Sequence, residues 1–259
     1  MYPQLLEFGP LNVYTYGVLL AAAYLIGLKV ALIRAHDRGL DANRVMDLGI
    51  YIIVSALIGA KLMLLVVEFE HFSLRPSDLW FLIRSGGVFY GGLLLAGPVA
   101  LWYLRRHRMQ TWTVCDVFAP GIALGHAIGR IGCLMAGCCF GKPTNVPWGI
   151  TFTNPLAASN VGTPLNVQLH PTQVYESGGE LLILVFLLLT EHRGRPFAGR
   201  TFWSYLLLYA VLRFITEIYR GDPRGIVFET LSTSQFISIL LVPLSLVMLI
   251  SLKRRASST

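Results

Sequence analysis

Apolar residues in this chain neither alternate nor form narrow stripes; they run in blocks of roughly 20, the length an α-helix needs to cross about 30 Å of hydrocarbon. Blocks stand near 13–33, 46–68, 86–104, 113–132, 172–190, 201–219 and 233–252 and predict about seven transmembrane helices. One long polar connection, 133–171, separates the fourth block from the fifth. It carries Pro143, Pro147, Pro155 and Pro164 among Gly, Asn and Thr, and is expected to be loop with short irregular pieces. The fold class that follows is all-α, a polytopic membrane protein with an outer-side loop region at 133–171. Residues 1–259 are expected to form a single integral membrane domain. Residues 1–12 hold no Lys or Arg and the first block runs on from Val13 to about Ile33, so it reads as a retained helix rather than a cleaved signal.

Composition agrees. The chain is 54% hydrophobic and 14% charged, against roughly 25% charged residues in a soluble domain. A formal charge of +7 does not point to nucleic acid, because the basic residues sit in short clusters between apolar blocks. Their distribution sets topology instead. Alternate connections on one side hold 12 of the 21 Lys and Arg: Arg34, Arg38, Arg44, Arg105, Arg106, Arg108, Arg193, Arg195, Arg200, Lys253, Arg254 and Arg255. The other side holds five, Arg75, Arg84, Lys142, Arg220 and Arg224, while Lys29, Lys61, Arg130 and Arg213 lie within spans. By the positive-inside rule the amino terminus and 133–171 face outward and the carboxyl terminus faces the cytoplasm. No internal repeat of the inverted-transporter kind is evident.

An ionisable group inside hydrocarbon costs about 2.5–3.5 kcal/mol and needs a partner or a role. Arg213, Glu217 and Arg220 fall at i, i+4 and i+7 on one helical face, where Glu217 can pair with either arginine. Such a pair can simply lock two helices, and Arg220 can snorkel to the interface. Arg130, in Gly129-Arg130-Ile131-Gly132, can hold a phosphate through paired hydrogen bonds or anchor the helix end at the headgroups. Gly121, Gly125 and Gly129 give its helix a smooth packing face, and Gly132, Gly137 and Gly141 continue into the loop. The fifth block opens His170-Pro171-Thr172-Gln173-Val174-Tyr175-Glu176, with Glu180 one turn further on; His170 suits a general base or, more commonly, a cap or hydrogen-bond partner. Gly86-Gly87-Val88-Phe89-Tyr90-Gly91-Gly92 opens the third block with glycine pairs around a tyrosine hydroxyl, and Tyr16-Gly17 resembles it in the first.

Cys115, Cys133, Cys138 and Cys139 lack the paired two-residue gaps of typical zinc sites, so no metal is expected. A disulfide from Cys133 to Cys138 or Cys139 remains open, and with it a thiol-disulfide oxidoreductase as an alternative function.

Together these stretches resemble the bacterial phosphatidylglycerol:prolipoprotein diacylglyceryl transferase family. The resemblance runs from Phe8-Gly-Pro10 and Tyr14–Gly17 through Gly86–Gly92, Asp116–Gly141, His170–Glu176 and Leu208–Arg224 to Leu231–Gln235. It implies a multi-pass protein of the bacterial inner membrane that moves the diacylglyceryl group of phosphatidylglycerol onto the lipobox cysteine of a prolipoprotein, without a cofactor. Tyr16, Arg130, Gly141, Arg213 and Glu217 match the family by residue type, whereas Tyr90, Cys133 and Cys138 stand where the family has His, Asn and Glu. The expected catalytic groups are Arg130, Arg213, Glu217, Tyr16 and Tyr90. Gly91, Gly92, Cys133, Cys138, Gly141, His170, Glu176 and Arg220 are expected to contact the substrates, which are phosphatidylglycerol and the prolipoprotein signal peptide within the bilayer, with no nucleic acid. A phospholipid-binding or transport paralogue of the same fold is the other alternative.

Overall fold

The computed structural model describes residues 2–8, 11–69, 87–194, 197–223, 225–227 and 230–258. Gly9, Pro10, Gly86 and the loop arginines Arg75, Arg84, Arg195 and Arg224 lie outside the described residues. In chain order the helices are α1 (Thr15–Asp37), α2 (Ala42–Val67), α3 (Phe89–Arg106), α4 (Thr111–Ala136), α5 (Pro155–Val161), α6 (Thr172–His192), α7 (Arg200–Ile218) and α8 (Thr233–Ser257). The short strands are β1 (Gln4–Phe8), β2 (Leu11–Tyr14), β3 (Ile150–Thr151), β4 (Gln168–Leu169), β5 (Ile226–Val227) and β6 (Leu231–Ser232), each paired antiparallel with its neighbour as β1-β2, β3-β4 and β5-β6.

Every expected span coincides with a helix. Among the described residues six are long and apolar enough to cross a membrane: α1, α2, α4, α6, α7 and α8. The third expected span is α3, of 18 residues with Pro98 inside, and is not one of the six. Apolar side chains face outward and polar ones inward: Leu182 of α6 is 73% exposed while Glu176 and Glu180 of the same helix are fully buried. That is the arrangement expected where lipid, not water, is the solvent.

The chain forms two compact units, one of Met1–Ala31 with Cys115–Thr259, the other of Leu32–Val114. In the smaller unit α2 and α3 approach closely because Gly59 and Gly91 carry no side chain. A Cβ at Gly92 would stand 2.9 Å from the Ala56 carbonyl oxygen. Tyr103 of α3 donates its hydroxyl to Asp47 at 3.5 Å.

In the larger unit the glycine face of α4 meets the first half of α1. A Cβ at Gly27 would stand 2.7 Å from the Gly121 carbonyl oxygen, and one at Gly125 would stand 3.0 Å from that of Ala23. Gly129 is different, since nothing lies within 4 Å of its missing Cβ; the packing face ends before it. Ala119, Ala123, Ile183, Leu187 and Tyr205 join α4, α6 and α7 in one buried cluster. Asp116, near the start of α4, accepts from the backbone N–H groups of Gly199 and Phe202, both at 2.8 Å, and so caps α7 from across the bundle. The last helix opens with Ser232 and Gln235 in a reciprocal capping box.

The polar connection is more ordered than its composition suggests. Helix α4 persists to Ala136, four residues past the expected boundary, because no breaker intervenes before Gly137, which takes φ +83°. Beyond it Asn154 caps α5, β3 pairs with β4, and Phe140, Phe152 and Leu169 form a small core with Leu134, Ile150 and Leu165.

Candidate active site

Helix α6 presents Thr172, Gln173, Glu176, Ser177 and Glu180 to the protein interior, successive positions on one helical face. A bare carboxylate buried there would be too costly to ionise, so Glu176 needs cations. Three arginines supply them, with His126 beside them. Arg130 Nη2, from the last turns of α4, lies 2.8 Å from Glu176 Oε1, and Arg213 Nη1, from α7, lies 3.2 Å from Oε2. Arg220 Nη1 stands 3.7 Å from Oε2 and His126 Nε2 stands 3.7 Å from Oε1.

A second row of acids holds these bases. Glu217 Oε2 lies 2.7 Å from Arg213 Nη2, one turn along α7, and Arg213 Nη2 donates to Ser234 Oγ at 3.0 Å at the start of α8. Arg220, just past the end of α7, is gripped in fork geometry by both carboxylate oxygens of Asp222 at 2.9 Å. His126 Nδ1 lies 2.7 Å from Glu180 Oε1. Of the two arginines that Glu217 could reach from sequence, it takes Arg213, while Arg220 turns to Asp222 and Glu176.

Arg130 is the least committed of the three arginines. Among the described residues its Nε has no hydrogen-bond partner, and its Nη1 meets only sulfur, Cys139 Sγ at 3.7 Å and Cys133 Sγ at 3.9 Å. Cys138 Sγ donates to the Cys133 carbonyl at 3.7 Å, and all four cysteines are free thiols. Hydrogen bonds from Cys133 and Cys138, with the charges of Arg220 and Arg130, hold the Cys139 thiol well below the ordinary thiol range despite its burial. The thiols of Cys133 and Cys139 and its burial push Cys138 well above it.

Gly141 stands where two chain segments cross. Its missing Cβ would overlap the His170 carbonyl oxygen. On its other side the Gly221 N–H donates to the Phe140 carbonyl at 3.0 Å, and the Lys142 N–H donates to that of Tyr219 at 2.8 Å. The crossing ties the cysteine turn to the segment after α7 that carries Arg220, where Gly141 and Arg220 form an isolated antiparallel bridge. His170 caps no helix, since Pro171 holds the cap position of α6 without a side-chain bond; its Nδ1 shares a hydrogen bond with the Tyr175 hydroxyl at 3.1 Å, and its ring packs on Tyr219 with centroids 5.1 Å apart.

The structure thus gathers Arg130, Cys133, Cys138, Gly141, Glu176, Arg213, Glu217 and Arg220. Tyr16 belongs with them, facing Gly132 and within electrostatic reach of Arg130 and the three cysteines. Gly91 and Gly92 are buried against α2, and Tyr90 beside them is 40% exposed. His126, Asp222 and Ser234 were not singled out from sequence, Glu180 only for its spacing from Glu176, and Cys139 only as a disulfide candidate. His126 lies one turn before Arg130 and Glu180 one turn after Glu176, so the i, i+4 spacing that joined Arg213 to Glu217 was available for both.

The family model for prolipoprotein diacylglyceryl transferase matches residues 3–251. A phosphatidylglycerol–prolipoprotein diacylglyceryl transferase of Clostridium tetani is 37% identical over 240 residues, covering 92% of this chain and 93% of the relative. One of Synechococcus elongatus is 32% identical over 261 residues, covering 97% and 89%. A second clostridial enzyme of that name, from Clostridium perfringens, is 32% identical over 237 residues, covering 91% and 90%.

Proposed function

The chain belongs to the prolipoprotein diacylglyceryl transferase family, and we propose that the arginine cluster around Glu176 is where it moves the diacylglyceryl group of phosphatidylglycerol onto a lipobox cysteine thiol. The reaction makes a thioether and releases glycerol phosphate. The thiol sulfur attacks the glyceryl carbon that carries the phosphate, the carbon–oxygen bond breaks, and its electron pair leaves on the phosphate oxygen.

Two physical demands follow. The leaving phosphate must be stabilised as its charge grows, and the thiol must lose its proton. The observation that carries the reading is that Arg130 sits among fixed ion pairs with donors unspent. Among the described residues Nη1 meets only two sulfurs at 3.7 and 3.9 Å, where a phosphate oxygen would sit at about 2.7–2.9 Å. Arg213 and Arg220 are held in place by Glu217 and Asp222, so they contribute positive potential without needing to reorganise. His126, between Glu176 and Glu180, suits the role of proton acceptor, and its two carboxylate neighbours stabilise the imidazolium that results. Tyr16 can donate its hydroxyl to a phosphate or glyceryl oxygen.

The lipid enters sideways from the bilayer, so the site belongs near the outward ends of α4, α6 and α7. That orientation, with the amino terminus outside and the carboxyl terminus in the cytoplasm of a bacterium, is supported by the distribution of Lys and Arg between connections. Purified protein given phosphatidylglycerol and a lipobox peptide should yield lipidated peptide, detected as the diacylglyceryl mass increment. Arg130→Ala should reduce the yield by about 100-fold or more; full activity in that variant would remove Arg130 from the mechanism.

A further inference from the structure

Cys133, Cys138 and Cys139 are brought together by backbone conformations that carry a cost. Cys133 comes from the last turn of α4, Gly137 turns the chain at φ +83°, and Cys139 takes φ +63°, a left-handed conformation rare for any residue with a side chain. The turn is fixed from α6: Gln173 Nε2 donates to the Cys138 carbonyl and Thr172 Oγ1 to that of Cys139, both at 2.7 Å. The result is three sulfur atoms within 4.8 Å of one another, partly or wholly removed from solvent.

Three thiolates about 2.3 Å from a common ion stand about 4 Å apart. The cluster therefore needs only small side-chain rotations to close on one. The donor set is all sulfur. His126, Glu176 and Glu180 are engaged with one another and with the arginines, and the guanidinium groups nearest the sulfurs cannot ligate. Sulfur-only coordination selects soft ions over Mg²⁺, Ca²⁺ or Mn²⁺, and a set of three without a fourth protein donor favours Cu(I) over tetrahedral Zn²⁺. Arg130 Nη1, facing Cys133 and Cys139, supplies the N–H donors that metal-bound thiolates take from their surroundings.

We propose that Cys133, Cys138 and Cys139 form a three-sulfur binding site for one thiophilic monovalent cation of the Cu(I) class. Binding releases the thiol protons to solvent and involves no change of oxidation state.

The test uses full-length protein in detergent, reduced, desalted and kept anaerobic, titrated with Cu(I) against a chromogenic Cu(I) chelator. Free thiols counted beforehand should number four; a bridged pair would overturn the proposal. The protein should withhold one Cu(I) per chain, with X-ray absorption showing three sulfur neighbours at about 2.3 Å. Cys133→Ser, Cys138→Ser and Cys139→Ser should each weaken binding by more than about 100-fold, beyond the effect of losing an outer partner. Cys115→Ser should leave it unchanged. Equal copper retention by parent and by the triple serine variant would overturn the proposal, as would fewer than three sulfur neighbours in the parent, a measurement that holds even where a serine variant fails to fold. None of these readouts depends on transferase activity, so their failure leaves the functional reading intact.

Discussion

Replacing Glu176 by glutamine keeps the shape of the side chain and removes the charge on which Arg130, Arg213 and Arg220 converge. Glu176 is fully buried, with Arg130 at 2.8 Å, Arg213 at 3.2 Å and Arg220 at 3.7 Å. Glu217 and Asp222 still neutralise Arg213 and Arg220 in the variant, so the uncompensated charge falls mainly on Arg130, which has no other acidic partner within ion-pair distance among the described residues. Breaking one buried pair costs about 3–5 kcal/mol. At about 2–4 °C per kcal/mol for a protein of this size, the melting temperature should fall by about 6–20 °C. Thermal unfolding in detergent, followed by the reactivity of buried thiols, measures it. Asp37→Asn is the comparison, an exposed carboxylate 3.8 Å from His36 whose loss should move the transition little. A shift for Glu176→Gln no larger than that of Asp37→Asn would refute the claim that Glu176 organises the cluster.

Other perturbations separate chemistry from architecture. His126→Gln should lower the catalytic rate by about 100-fold or more with the Michaelis constant for phosphatidylglycerol little changed, if His126 takes the thiol proton; steady-state kinetics with a lipobox peptide decides. Gly141→Ala places a Cβ on the His170 carbonyl, so both thermal stability and activity should drop, since the crossing must open to admit it. Asp116→Ala leaves the buried N–H groups of Gly199 and Phe202 without the acceptor seen at 2.8 Å. It should cost about 1–3 kcal/mol for each group left unsatisfied, and Asp116→Asn, which keeps one acceptor oxygen, should cost less, as read by melting temperature.

The helices were legible because a membrane span needs a block of apolar residues, and the blocks stand within a few residues of all seven long helices. The error that touches the site, at the end of α4, came from expecting the polar loop to begin at Cys133 when the chain holds its helix to Gly137. Arg213 and Glu217 were legible for a local reason too, since both lie on one turn of one helix. What sequence did not disclose is which acid answers which base between helices. Glu176 on α6 meets Arg130 on α4 and Arg213 on α7 because the small side chains Ala119 and Ala123 let those helices pack closely, a tertiary consequence that spacing along one segment does not encode. The same holds for the three cysteines, whose spacing resembles no familiar metal motif until Gly137 and Cys139 adopt left-handed conformations.

The ion-pair network also says how such a site can release an anion as well as stabilise one. If three arginines faced a lipid phosphate without acids of their own, product glycerol phosphate would be held too tightly to leave. Here Glu217 and Asp222 already neutralise Arg213 and Arg220, and Glu176 competes directly for Arg130. In the proposed mechanism phosphate gains most where Arg130 has donors to spare, and Glu176, 2.8 Å away, would reclaim that guanidinium after the carbon–oxygen bond breaks. Selective stabilisation of the charge that develops in the transition state needs this balance, because an interaction equally strong with substrate and transition state adds affinity without adding rate.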